Sequence, residues 1–205
     1  MSGRIAENLL RVRQQMASAA QRSGRSAEDV TLVAVTKYVS ADLARAVVEA
    51  GCTHLAESRP QELWSKSAEL ESSKVSWHLI GHLQRNKLRR TLPLVAMLHS
   101  VDSARLLSAI EAEAALSGHT AQVLLEVNIS GDVTKTGLAP AELAGVIERA
   151  APLRHVRVQG LMGMASLVGG VATARRDFVR LRQLRDRLLA DCPAEVSLAE
   201  LSMGM

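Results

Sequence analysis

Ile5, Leu9, Val12 and Met16 recur at spacings of four, three and four, the stripe of an amphipathic helix at the head of the chain. A polar turn follows at Arg22-Ser-Gly-Arg-Ser26. The run Thr31-Leu-Val-Ala-Val-Thr-Lys37 is then β-rich and almost continuously apolar, which predicts a strand buried on both faces. Ser40 is placed to cap a helix carrying Leu43, Val47 and Ala50, and Gly51 stands where that helix should stop. The same rhythm repeats to the end of the chain. Strands are expected at His54–Ser58, Val75–Gly81, Met97–Val101, Gln122–Asn128, Val156–Met164 and Val196–Met205. Between them fall a helix opened by Pro60, a basic helix through Leu88, a helix capped by Ser103 and ended near Gly118, one opened by Pro140, and a long one with Phe178, Leu181 and Leu188.

Seven strands alternating with helices imply a parallel α/β sheet with right-handed crossovers. A TIM-type (β/α) barrel and a doubly wound open sheet both fit that alternation. The positions of the unusual polar residues favour the barrel. Lys37, Glu57, His82, Asp102, Asn128 and Met164 all fall at the C-terminal ends of expected strands, where barrel sites are built. The expected architecture is thus a barrel with an extra N-terminal helix and one strand, the eighth, absent from this chain.

Composition refines this reading without redirecting it. At 205 residues, 47% hydrophobic and 22% charged, the chain suits a single domain with a sizeable core over residues 1–205. Trp64, Trp77, Tyr38 and Phe178 are its only aromatic residues, so the core is expected to consist of Leu, Val, Ala and Met. The net charge of +4 reflects arginine-rich helical stretches. Because acidic residues are interleaved and aromatic surface is scarce, these read as solvated faces, and no nucleic-acid partner is expected. Cys52 and Cys192 form neither a disulfide framework nor a metal motif. The charged N-terminus lacks a signal peptide's apolar core, and no run approaches a membrane span, so a cytoplasmic protein with no membrane partner is expected.

Lys37 is the sharpest chemical feature. A lysine closing a buried strand is costly as an ammonium, and a lysine whose charge is relieved is the one that forms imines with aldehydes. His78 and His82 straddle a strand end with no accompanying cysteine or carboxylate pattern, so no metal site is expected. Gln84, Arg85, Asn86 and Lys87 suit either an anion site at a helix start or a polar loop. Asp102 and Asn128 are expected to tie strand-end loops together by hydrogen bonds.

Several segments occur together in one order: Val33-Ala-Val-Thr-Lys-Tyr38, Glu57-Ser-Arg-Pro-Gln-Glu62, Trp77-His-Leu-Ile-Gly-His-Leu-Gln-Arg-Asn-Lys87, His99-Ser-Val-Asp-Ser103, Glu126-Val-Asn-Ile-Ser130 with Lys135-Thr-Gly137, Gly160-Leu-Met-Gly-Met164 and Leu201-Ser-Met-Gly-Met205. In this the whole chain closely resembles the pyridoxal-phosphate homeostasis protein family, whose barrel is related to the N-terminal domain of alanine racemase. The resemblance implies pyridoxal 5′-phosphate (PLP) as cofactor, carried as a Schiff base on Lys37. It also implies Ser58, Met164, Ser202, Gly204 and Met205 as further cofactor-binding residues. The implied role is vitamin B6 and amino-acid homeostasis as a non-catalytic PLP carrier, with PLP-dependent apoenzymes as partners and a monomeric or weakly dimeric state. Two departures stand out. Family members usually carry Gly-Glu-Asn where this chain has Ala56-Glu57-Ser58, so a Ser58 contact would be shorter. The family also continues past Ser202-Met-Gly-Met205 with a helix and a final strand that complete its phosphate cup, so weak PLP retention is expected for a domain that is incomplete at its C-terminus. The alternative is a racemase-like enzyme. The only tyrosine, Tyr38, would point away from Lys37 if the strand continued, which leaves a two-base proton transfer without its second base.

Overall fold

The computed structural model describes residues 2–132, 136–166 and 169–204, and the side chains of all of these except Ser2. The chain divides into two compact units, residues 1–78 and 79–205.

The first unit begins with helix α1 (Ser2–Arg22), whose Arg13 reaches the Gly51 carbonyl at 2.6 Å. Strand β1 (Ala34–Val35) pairs in parallel with β2 (His54–Glu57), in the register Ala34↔Leu55 and Val35↔Ala56. Helix α2 (Ala41–Glu49) lies between them in sequence, capped by Ser40, whose hydroxyl accepts from the Leu43 N–H. Helix α3 (Pro60–Glu69) has proline in its first turn and leads to β3 (Ser76–Leu79). The expectation of a long strand buried on both faces at Thr31–Lys37 is not met. Only two residues form β1, and Val35 is 48% exposed. The reason is that β1 has a ladder on one side only among the described residues, so its other face and edge meet no strand.

The second unit contains α4 (Leu88–Thr91), β4 (Met97–Val101), α5 (Ala104–Ser117), β5 (Ala121–Glu126), α6 (Leu143–Ala150), β6 (Val156–Met164), α7 (Gly170–Leu188) and β7 (Glu200–Gly204). The strands pair in chain order, β4 with β5, β5 with β6 and β6 with β7, all parallel. The core is aliphatic, with Leu98, Leu107, Ile110, Leu124, Leu125, Leu143 and Leu161 fully buried. Ser103 caps α5 by accepting from the Leu106 N–H, and Gly118 ends that helix in the left-handed conformation, as its sequence predicts. The expected basic helix is instead one α-turn between two 3₁₀ turns, Arg85–Lys87 and Leu92–Leu94. Pro93, which has no amide hydrogen, lies in the second of these. Gly160 permits close packing of β6 on β7, since a Cβ there would overlap the Glu200 carbonyl.

Candidate functional site

Lys37 lies one residue beyond the β1 ladder, which ends with the Thr36 N–H donating to the Ala56 carbonyl at 2.9 Å. The chain then reverses. The Val39 N–H donates to the Thr36 carbonyl at 3.2 Å, closing a four-residue turn with Lys37 second and Tyr38 third. Tyr38 has φ +77°, the value a type II turn demands at its third position and which glycine usually supplies. Among the described residues it is the only non-glycine with positive φ. The strand therefore does not carry Tyr38 to the far side of Lys37. The Lys37 Nζ stands 5.6 Å from the centre of the Tyr38 ring, and Tyr38 is 87% exposed. The half-buried Lys37 Nζ has no ion pair and no hydrogen bond among the described residues.

Behind this turn is a buried polar cluster that the sequence reading missed. The Lys66 Nζ donates to Glu57 Oε1 at 2.6 Å and to the Thr36 carbonyl at 2.8 Å. The Thr36 hydroxyl donates to the same Glu57 oxygen at 2.6 Å. Thr36, Glu57 and Lys66 are all almost wholly buried, and among the described residues Glu57 Oε2 has no hydrogen-bond partner. The register explains how they meet. Thr36 and Glu57 are level with each other one step past Val35↔Ala56, so their side chains share the face covered by α3. Lys37 and Ser58 lie just past these strands, Lys37 in the turn and Ser58 in a bend, both half-buried. A signal for the cluster was present in the sequence, because Lys66 interrupts the buried α3 stripe of Pro60 and Leu63. A lysine in an apolar stripe requires a buried partner. In the same unit His54 Nδ1 and His78 Nε2 are 3.0 Å apart. Burial, with a smaller contribution from His54, lowers the His78 pKa from 6.5 to about 4.

In the second unit the strand ends present the other expected residues. Met164 closes β6, 38% exposed, level with Gly204 of β7. Ser202 Oγ lies 2.8 Å from His99 Nδ1. The Gly204 carbonyl accepts from the Ala165 N–H at 3.0 Å. Met205 lies outside the described residues. Asp102 ties its strand end to the loop after β3 as expected, whereas the side-chain bonds of Asn128 stay within its own turn, because Ser130, Gly131 and Asp132 lie within its reach. Asp102 Oδ2 is 2.9 Å from His82 Nδ1 and its other oxygen accepts from the Ser103 hydroxyl, while Asn128 donates to the Asp132 carbonyl. His82, Gln84, Arg85, Asn86, Asp102 and Arg105 line an open cavity of about 410 Å³. Glu126, at the end of β5, has its pKa raised chiefly by burial; the Thr136 hydroxyl, donating at 2.8 Å, opposes the shift.

The first unit thus presents a primary amine just past a strand end, the group that captures an aldehyde, and the second unit by itself presents a partly exposed thioether at Met164. Among the described residues no three histidine, cysteine or carboxylate side chains are grouped to hold a metal ion.

Residues 4–203 match the model of the alanine racemase N-terminal domain, and the chain belongs to that class of (β/α) barrels. Two solved alanine racemase chains of Clostridium difficile share the fold at TM-scores of 0.71 and 0.69 with 16% identity, over 86% of this chain and under half of theirs. Within the class, the chain is a member of the pyridoxal phosphate homeostasis protein family. It is 34% identical over 199 residues to that protein from Aquifex aeolicus, covering 97% of this chain and 86% of the relative. PipY of Synechococcus elongatus, solved without PLP, superposes with a TM-score of 0.87 at 34% identity, over 98% of this chain and 89% of that one. The same protein solved with PLP bound superposes at 0.82.

Proposed function

We propose that this chain binds PLP as a Schiff base on Lys37 and acts in intracellular PLP homeostasis as a carrier, without turnover of its own. PLP supplies an aldehyde that an uncommitted amine captures reversibly. The observation that carries this reading is the Lys37 turn, which presents a primary amine with no ion pair and no hydrogen bond among the described residues. Ser58 is assigned to the cofactor ring, Met164 to packing against it, and Ser202, Gly204 and Met205 to the phosphate, each by its place in the family's motifs. The family relationship, and the PLP recorded for PipY, support the cofactor.

The absence of catalysis is supported by Tyr38, the one tyrosine, which stands in the same turn as Lys37. Racemisation needs a second base on the opposite face of the substrate, and Tyr38 does not supply one. The chain is read as a single cofactor-binding domain, cytoplasmic, monomeric or weakly dimeric, and able to hand PLP to apoenzymes. No described helix is long and apolar enough to cross a membrane.

The test is the visible absorbance of protein mixed with PLP and freed of excess. A bound-imine band in the native chain, absent in Lys37→Ala, is the expected result, and a band of equal strength in both would remove Lys37 from the site. Incubating the PLP-loaded protein with L-alanine is expected to yield no D-alanine.

A further inference from the structure

Lys37 is displayed by a turn whose third residue is backbone-strained. A non-glycine residue at positive φ persists only where its surroundings over-determine it. The two bonds received by the Thr36 carbonyl identify what holds it. One, from the Val39 N–H, closes the turn; the other comes from the buried Lys66 ammonium, 2.8 Å away. Lys66 is itself anchored at 2.6 Å by Glu57, and the same carboxylate oxygen receives the Thr36 hydroxyl. The residue immediately before Lys37 is therefore gripped at its N–H, its carbonyl and its side chain. Burial of an ion pair is a poor way to gain stability, because well-packed apolar replacements usually do as well. The alternative role for such a pair is conformational specificity.

We propose that Lys66, anchored by Glu57, is a positioning residue: it locks the Thr36 carbonyl, and with it the strained turn that presents the Lys37 amine to an aldehyde. This rests on the reading of Lys37 as the PLP-bearing lysine. Without the clamp the turn relaxes toward conformers with Tyr38 at negative φ, and Lys37 no longer has a single exit direction. Imine formation then bears the entropy of restoring the productive conformer.

The test uses the full chain and two readouts: apparent affinity for PLP from imine absorbance, and hydrogen exchange of the Val39 amide without PLP. In Glu57→Leu/Lys66→Met, affinity is expected to fall and Val39 exchange to accelerate, each by about tenfold, since turn strain of this kind corresponds to roughly that factor. Adding Tyr38→Gly removes the strain and is expected to recover both values, a rescue that general loss of packing would not show. A folded double variant with native affinity and native Val39 exchange overturns the proposal, as does a loss that Tyr38→Gly leaves untouched. If the double variant does not fold, Glu57→Gln/Lys66→Met, which also leaves no buried charge and keeps a polar group beside the Thr36 hydroxyl, is read for the same quantities, with the same direction expected and the same overturning result. If the native chain forms no imine on Lys37, the functional reading fails, and Val39 exchange still decides whether Lys66 holds the turn.

Discussion

At the scale of single residues, the first unit contains two groups removed from water for different reasons. Lys66 and Glu57 neutralise each other, so removing one partner strands the other. Lys66→Met alone is expected to destabilise the fold by about 3–5 kcal/mol, whereas Glu57→Leu/Lys66→Met should lie close to the native value; urea denaturation midpoints decide between these. His78 is held neutral, because burial and the neighbouring His54 lower its pKa to about 4. The unfolded chain, titrating near 6.5, then binds more protons than the folded one between about pH 6.5 and 4. Stability is therefore fully present above that window and declines as pH falls through it, by about 3 kcal/mol at its lower limit. His78→Gln should flatten that part of the profile. Comparing the two proteins cancels the opposite contribution of Glu126, whose raised pKa favours the folded state at low pH and is lost as pH rises.

At the scale of elements, how legible each was depended on how local its cause is. Ser40, Ser103 and Gly118 announced helix ends and the structure places them there, because caps are satisfied by side chains and torsions a few residues away. The length of β1 was misjudged because an apolar run cannot say how many strands will flank it. Two of its expected residues form a ladder, and Lys37 lies in a turn instead. The basic segment after β3 read as one helix and forms three short turns, with Pro93 in the last. Gly160 shows a requirement that no periodicity reveals. β6 and β7 approach so closely there that Gly160→Ala must push the Glu200 backbone away. A cost of about 1–3 kcal/mol is expected, the range for overpacking, together with faster amide exchange in β7 than in β5.

At the scale of the whole molecule, PLP bound to the folded state alone raises stability by mass action. Saturating PLP is expected to raise the melting temperature of the native chain, and Lys37→Ala should lose most of that rise if the imine carries the affinity. A rise of equal size in Lys37→Ala would place the binding energy in the phosphate contacts instead.

The alternation of apolar strands and amphipathic helices, the caps, the placement of Met164 at the end of its strand, and the ordered motifs could all be read along the chain. Each depends on neighbours in sequence or on a pattern of fixed period. What only the tertiary structure decided is how Lys37 is held: the reversal at Tyr38, and the grip of Lys66 and Glu57 on Thr36. The grip joins residues nine to thirty positions apart through the register of β1 on β2 and the packing of α3. A buried charge and its partner are selected by proximity in space, where low dielectric makes an unpaired ion costly, and linear order carries no measure of that distance.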